Sequence, residues 1–432
     1  MKKLISAILP IGLSIFLVAG CSSSSSSEVD PVSIESKIEM KESSLERNFN
    51  PVVDTNQTKA LIKNNNDFAF DMFRELQKDQ NENIFFSPYS ISQALVMTYA
   101  GAKESTKTQM ASALHFDAND SILHNAFNAL DLHLNHSDEN YTLSVANAIW
   151  PQKDFTFLES YLDNIKVNYG AKVRLMDYVN DTEGSRKIIN DWVEEKTHDR
   201  IKDLIPEGSI SANTRLVLTN AIYFKGKWQK TFDKELTKDE TFTLEDNSTI
   251  QTPLMNQIDN FPYIENENFQ AIELPYKQNR SSMLIILPTK GKFQEVLADI
   301  NTTFDITSTN LEYKRVNLKM PKFEFTTGLY NLSRAFMQLG MSDAFDPNLA
   351  DFSNMTGDKS LVISKILHKA FIKVDEKETQ AAAATGVIAE ITSAPIIEEP
   401  VDMFVNRPFI LFIKDQTNNQ ILFMGIIKNP KI

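Results

Sequence analysis

Few side chains in this sequence could do covalent or metal chemistry, and their spacing argues against both. The histidines are His115, His124, His133, His136, His198 and His368. Only His133 and His136 lie close together, and no carboxylate-rich ligand set accompanies them, so zinc is not expected there. Cys21 is the only cysteine, and it directly follows an apolar N-terminal run. No Gly-x-Ser-x-Gly, phosphate loop or dinucleotide glycine motif appears. An enzyme, a cofactor and a metal are therefore all unexpected.

The unusual chemistry lies in the backbone of one stretch. It begins Glu376, Lys377, Glu378, Thr379, Gln380, then Ala381, Ala382, Ala383, Ala384 and Thr385, and runs on to Pro395. Four alanines in a row favour helix and disfavour strand, whereas Val387 and Ile388 favour the reverse. A frayed helical connector is one reading. With a period of two, Thr379, Ala381, Ala383, Thr385, Val387, Ala389 and Ile391 share a face. That face is uncharged and starts with four small side chains, so it could slide between existing strands and be buried. The stretch can be a loop in one state and a strand in another.

The N-terminus reads as an address. Lys2 and Lys3 precede an apolar run from Leu4 to Ala19, which is short for a membrane span. The ending Leu17-Val-Ala-Gly-Cys21 resembles the bacterial lipobox, which makes Cys21 the lipid attachment site and residues 1–21 a lipoprotein signal peptide. A domain without further cysteine has no disulfide and relies on its core. Residues 22–57, opening on six serines, read as a flexible tether. The net charge of −13 becomes −15 once Lys2 and Lys3 leave with the leader. That balance argues against nucleic acid, which wants a basic face.

The elements that must hold the 376–395 stretch are legible in outline. Phe68, Ala69, Met72, Phe73 and Leu76 mark an amphipathic helix. Residues 83–91 read as a short apolar strand running into a serine-started helix. Tyr141, Leu143 and Val145 alternate. Residues 216–228 form a strand apolar on both faces except at Thr219 and Asn220, and a buried asparagine needs partners. Residues 282–288 and the alternating Val316, Leu318 and Met320 are further strands. Leu329, Leu332, Phe336 and Leu339 suggest a helix face that Gly340 closes. His368 sits in an apolar strand ahead of the alanine run, where a lone histidine is usually a satisfied core residue. Strands at 409–413 and 421–427 end the chain. This mixture argues for α+β with a large sheet, and no internal repeat is visible.

An acidic residue, Lys, one residue, Thr, one residue and an alanine run resembles the reactive-loop hinge of serpins. Met403–Ile413 is similar to the serpin signature near the C-terminus, and the likeness covers about residues 58–432. The resemblance implies a large central mixed sheet, surrounding helices and an exposed reactive-centre loop at about 376–400. It implies that Ser87, Ser90, Asn220 and His368 form the shutter beneath the sheet, with His368 bonded to Asn220. Trp228 and an ion pair of Lys322 with Glu376 would lie at the breach, where the loop enters. The plainer readings are a helix cap and turn for the serines, a satisfied amide for Asn220 and a packed indole for Trp228.

The implied activity is suicide inhibition of serine proteases, and possible targets extend to cysteine proteases. A monomer would trap the acyl-enzyme as a covalent complex by inserting its cut loop into the sheet. Counting from Glu376 sets the reactive bond at Thr392–Ser393, and bonds after Glu390, Ile391 or Ile396 stay open. A small neutral Thr392 suits elastase- or subtilisin-like targets. Glu378 stands where inhibitory members usually carry glycine. The alternatives are a non-inhibitory serpin that binds a ligand or protein, and a plain surface adhesin. The expected location is the bacterial cell envelope, lipid-anchored in the outer membrane or at the cell surface.

Overall fold

Asp, Ser or Asn side chains cap four of the described α-helices. In the computed structural model, which describes residues 34–78, 82–135, 139–377 and 399–431, strand β1 is Glu39–Lys41 and helix α1 is Thr55–Gln77. Asp54 caps α1 in a reciprocal box with Gln57. Strand β2 (Ile84–Phe86) runs into α2 (Pro88–Tyr99), where Ser87 is the N-cap and Pro88 opens the first turn. Next come α3 (Glu104–Ala113), α4 (Asp120–Leu134, capped by Asn119), β3 (Tyr141–Pro151) and α5 (Glu159–Tyr169). Strand β4 (Val173–Leu175), α6 (Thr182–Lys196, capped by Asp181) and β5 (Leu216–Gly226) follow.

The second half is mostly strand. It holds β6 (Lys238–Thr243), β7 (Thr249–Glu265), β8 (Phe269–Pro275) and β9 (Ser281–Pro288). After α7 (Phe293–Ala298) and α8 (Ile300–Thr309) come β10 (Glu312–Pro321), β11 (Phe323–Thr326) and β12 (Tyr330–Asn331). Helices α9 (Ser333–Gln338) and α10 (Ser353–Thr356) precede β13 (Lys365–Val374), and β14 (Val401–Phe404), β15 (Phe409–Asp415) and β16 (Ile421–Ile427) end the chain.

Two sheets result. The central one has the order β1-β4-β3-β5-β13-β11, with β12 also on β13. The other runs β14-β10-β7-β8-β9-β15-β16-β2, with β6 on β7. One apolar core joins α1, α2 and the second sheet to the rear of the central sheet. A smaller core lies under α6, where Trp150, Trp192, Val217, Leu367 and Phe371 meet.

β5 and β13 lie side by side and parallel, in a sheet whose longer pairings are otherwise antiparallel. Their ladder runs only from Val217↔Lys365 to Tyr223↔Phe371. Above it, Phe224–Gly226 pair with β3 and Ile372–Val374 pair with β11, and the two strands no longer pair with each other.

Two expectations need correcting. The tether does not extend to residue 57: from Ile34 onward it is packed on the domain. Ile34–Lys37 form a 3-10 turn, and β1 pairs antiparallel with β4. Its attachments are isolated apolar residues and charged groups with distant partners, which leave no periodic trace in sequence. The helix expected from Leu329 also starts later, at Ser333, because Tyr330 and Asn331 are bound as strand to β13.

Candidate functional site

At the middle of the seam between β5 and β13, four polar side chains stand in one row across the sheet. The register pairs Asn147 on β3 with Asn220, Asn220 with His368, and His368 with Tyr330. Neighbours in register point to the same face, so the row faces the start of α2 behind the sheet. The Asn220 amide donates to Ser90 Oγ at 2.6 Å and to Asn147 Oδ1. Its Oδ1 takes a close hydrogen bond from His368 Nδ1. His368 Nε2 accepts from the Ser87 amide at 3.3 Å, while Ser87 Oγ donates to the Leu422 carbonyl at 2.6 Å.

These bonds fix the chemistry of His368. Its Nε2 accepts, so the proton sits on Nδ1 and the ring is neutral. Burial disfavours the imidazolium and pushes the pKa down to about 3, only partly opposed by the Asn220 backbone carbonyl. The tyrosine ring of Tyr330 stacks on the imidazole at 6.0 Å. His368 is thus a neutral structural clasp, placed where the two parallel strands must separate if anything is to enter between them.

The top of the seam is held differently. Trp228 Nε1 donates to the Asp375 carbonyl at 2.9 Å, and the Phe232 amide donates to the Glu376 carbonyl at 3.2 Å. The indole stacks on Tyr276 at 4.6 Å. Gly226 permits that approach, since a Cβ there would meet the Tyr276 ring at 2.7 Å. Lys322 Nζ lies 2.7 Å from Glu376 Oε2. Burial pushes the Glu376 carboxyl up, but the bonds from Lys322 and from backbone outweigh it and leave the pKa below the usual range. Lys373 bridges Glu324 at 3.0 Å beside this point.

A family model described as serpin (serine protease inhibitor) matches residues 63–430. The chain belongs to the serpin family. A serpin-like protein of Methanosarcina acetivorans is 39% identical over 375 residues, covering 85% of each chain. Human serpin B3 is 38% identical over 392 residues, covering 86% of this chain and all of its own length. Among solved structures, human thyroxine-binding globulin in complex with thyroxine superposes with a TM-score of 0.78 at 30% identity, over 87% of this chain and 100% of its own. Uncleaved ovalbumin gives 0.76 at 27% identity, over 84% and 98%. The α+β architecture with large mixed sheets is the serpin fold.

Within this serpin, the residues expected at the shutter converge: Ser87, Ser90, Asn220 and His368 are all buried and bonded to one another. Trp228, Lys322 and Glu376 meet at the head of β13. Lys377 follows, its amide donating to Asp375 Oδ1 at 3.0 Å. Cys21, the hinge from Glu378 through Thr379, Gln380 and the alanines to Thr385, and the Thr392–Ser393 bond lie outside the described residues. His133 is taken by Asp415 at 3.0 Å and Thr417 at 3.2 Å, and His136 is outside the described residues. Sequence reasoning missed Asn147 and Tyr330. Asn147 did carry a signal: like Asn220, it is an amide next to alanine inside a strand, and such a group needs a partner.

Proposed function

We propose that this serpin is a suicide inhibitor of serine proteases, working by insertion of its cut loop between β5 and β13. The single observation that carries the reading is the seam. It is the parallel join in the middle of the sheet, it is unpaired at its top, and the chain leaves that top at Glu376. A strand folding back from Glu376 would run antiparallel to both neighbours. It would exchange one parallel edge for two antiparallel ones, the slightly more stable pairing. About a dozen added residues, at roughly 1 kcal/mol net per hydrogen bond, give on the order of 10 kcal/mol to drive the change.

The sequence of events follows from chemistry. A protease serine attacks the carbonyl of Thr392, and the chain carrying Ser393 leaves as the amine. The freed loop then inserts with its small-residue face inward and drags the esterified protease along. Displacing the protease's own catalytic groups by an ångström or more costs on the order of 10²-fold or greater in deacylation, so the ester persists. A small neutral Thr392 favours elastase- or subtilisin-like targets. Cys21 would carry the lipid that holds the inhibitor at the bacterial envelope.

Two experiments test these statements. Mixing with an elastase-like serine protease should give a covalent complex that survives denaturing electrophoresis, with a released fragment starting at Ser393. Loop cleavage without complex would move the reading to a non-inhibitory serpin that binds a ligand, as thyroxine-binding globulin does in its solved complex. Cys21→Ser should leave the domain folded and abolish membrane retention.

A further inference from the structure

The segment ahead of the family match is fastened to the domain by buried polar groups. Ile34 and Ile38 join the core under α6. Glu35 accepts from Arg174 Nη2 at 2.8 Å and Trp192 Nε1 at 3.1 Å, tying β4 to α6. Further on, Arg47 reaches α4. Its Nη2 lies 2.5 Å from Asp131 Oδ2 and 2.9 Å from Asn128 Oδ1, and Asn128 returns a bond of 2.7 Å to the Asn48 carbonyl. Asp131 is only 3% exposed.

The contacts continue inward from Asp131. Its Oδ1 accepts from Tyr89 at 3.2 Å and from Gln93 Nε2 at 2.5 Å. Gln93 Oε1 accepts from Asn147 Nδ2 at 3.3 Å. Asn147 Oδ1 accepts from Asn220 Nδ2, and Asn220 Oδ1 accepts from His368 Nδ1. An unbroken chain of hydrogen bonds thus runs from the N-terminal segment to the shutter.

The direction of that chain has a cause. A carboxylate only accepts. Gln93 must therefore turn its NH2 toward Asp131 and its oxygen toward Asn147. The same sense is kept at Asn147, whose amide donates to Gln93 Oε1 and, at 2.9 Å, to the Ser90 carbonyl, and at His368, whose Nδ1–H tautomer is held by the Ser87 amide on Nε2. Arg47 is the cation that keeps this buried acceptor paired. Without it, Asp131 would rest on Tyr89 and Gln93 alone, and an underpaired buried charge reorganises its surroundings.

We propose that Arg47 is a positioning residue for the shutter: through Asp131, Gln93 and Asn147 it orients Asn220 against His368, so the N-terminal segment sets how readily β5 and β13 part. The same segment leads to the envelope anchor proposed above. The consequence for inhibition rests on the loop-insertion reading; the coupling itself does not.

The test reads the seam without any protease. Amide hydrogen exchange is followed in 216–226 and 365–374, with the β15–β16 hairpin as an internal control. Arg47→Met should raise exchange at the seam about tenfold and leave the hairpin within about twofold, while Arg47→Lys falls between. In a Gln93→Met background, which cuts the chain, Arg47→Met should add less than about twofold. Equal acceleration of seam and hairpin, the same increment in both backgrounds, or no change at the seam would each overturn the proposal. Asp131→Asn, which keeps the shape but removes the charge that Arg47 meets, provides a second measurement: on that background Arg47→Met should add less than about twofold at the seam. A larger increment would also overturn it. Absence of covalent complex in the protease experiment would leave these outcomes intact and remove only the link to inhibition.

Discussion

The seam between β5 and β13 is closed by two unlike devices. At the shutter, neutral side chains with almost no exposure meet across paired strands: Asn220 and His368 are 1% and 0% exposed. At the breach the backbone ladder has already ended. The chain is held there by two bonds to carbonyls and by an ion pair whose lysine side chain is 38% exposed. A buried neutral network is costly to break because each partner is left unsatisfied. The ion pair has one exposed end, the Lys322 ammonium, where solvent and salt screen it, while the Glu376 carboxylate is buried. The backbone pairing of the seam thus ends below the breach, while the shutter row lies within its paired part.

The most drastic way to break this contrast is to block the first inserted position. Thr379→Arg should leave folding and loop cleavage intact but abolish the covalent complex, since a buried unpaired charge costs several kcal/mol. Persistence of complex at the parent's stoichiometry would mean that insertion does not begin at the breach.

Asn220→Ala attacks the middle. It takes from His368 Nδ1 its closest acceptor and from Asn147 Oδ1 one of its two donors, leaving them the Asn220 carbonyl at 3.2 Å and Ser90 Oγ at 3.1 Å, with an expected loss of roughly 1–3 kcal/mol in chemical denaturation. Polymer should form on mild heating, because a parted sheet can accept another molecule's loop. A change within about 0.5 kcal/mol, as for an ordinary surface substitution, would show that the row is ornamental.

Acid should separate the two devices. The folded pKa of His368, about 3, lies below its ordinary 6.5. The unfolded chain therefore binds the proton first, so stability is full above 6.5 and falls as the pH drops toward 3. By pH 5 this amounts to on the order of 2 kcal/mol. Glu376 is also depressed, so its contribution is present above the ordinary carboxylate value of 4.5 and goes only as the pH falls through its lower folded pKa. Between 6.5 and 4.5 the shutter should loosen while the breach pair holds. Denaturation curves of the parent and His368→Gln at pH 7 and 5 check this: the variant should lose the slope, and parallel curves would contradict it.

Glu376→Gln should have the smallest effect, about 1 kcal/mol or less and shrinking further in high salt. A loss as large as that of Asn220→Ala would put the main clasp at the breach instead.

Much of this was legible in the chain itself. The serine-started helix after residue 86, the two strands that end the chain and the alternation of Tyr141, Leu143 and Val145 are local signals, and the elements formed where they indicated. His368 and Asn220 stood out because a polar group in an apolar strand needs a partner. Tyr330 did not, because it sits in an apolar series that also suits a helix. Only the strand pairing to His368 excludes that reading.

The N-terminal segment marks the boundary most clearly. Its sequence determined that it is polar, serine-led and without period, and such a stretch has no local reason to fold. Its order comes from partners 81 and more positions away: Asn128 and Asp131 for Arg47, Arg174 and Trp192 for Glu35. Local patterning fixes helices, strands and caps because those interactions span a few residues. Which lone charged side chain meets which buried carboxylate depends on chain closure over long separations, and only the assembled tertiary structure decides that.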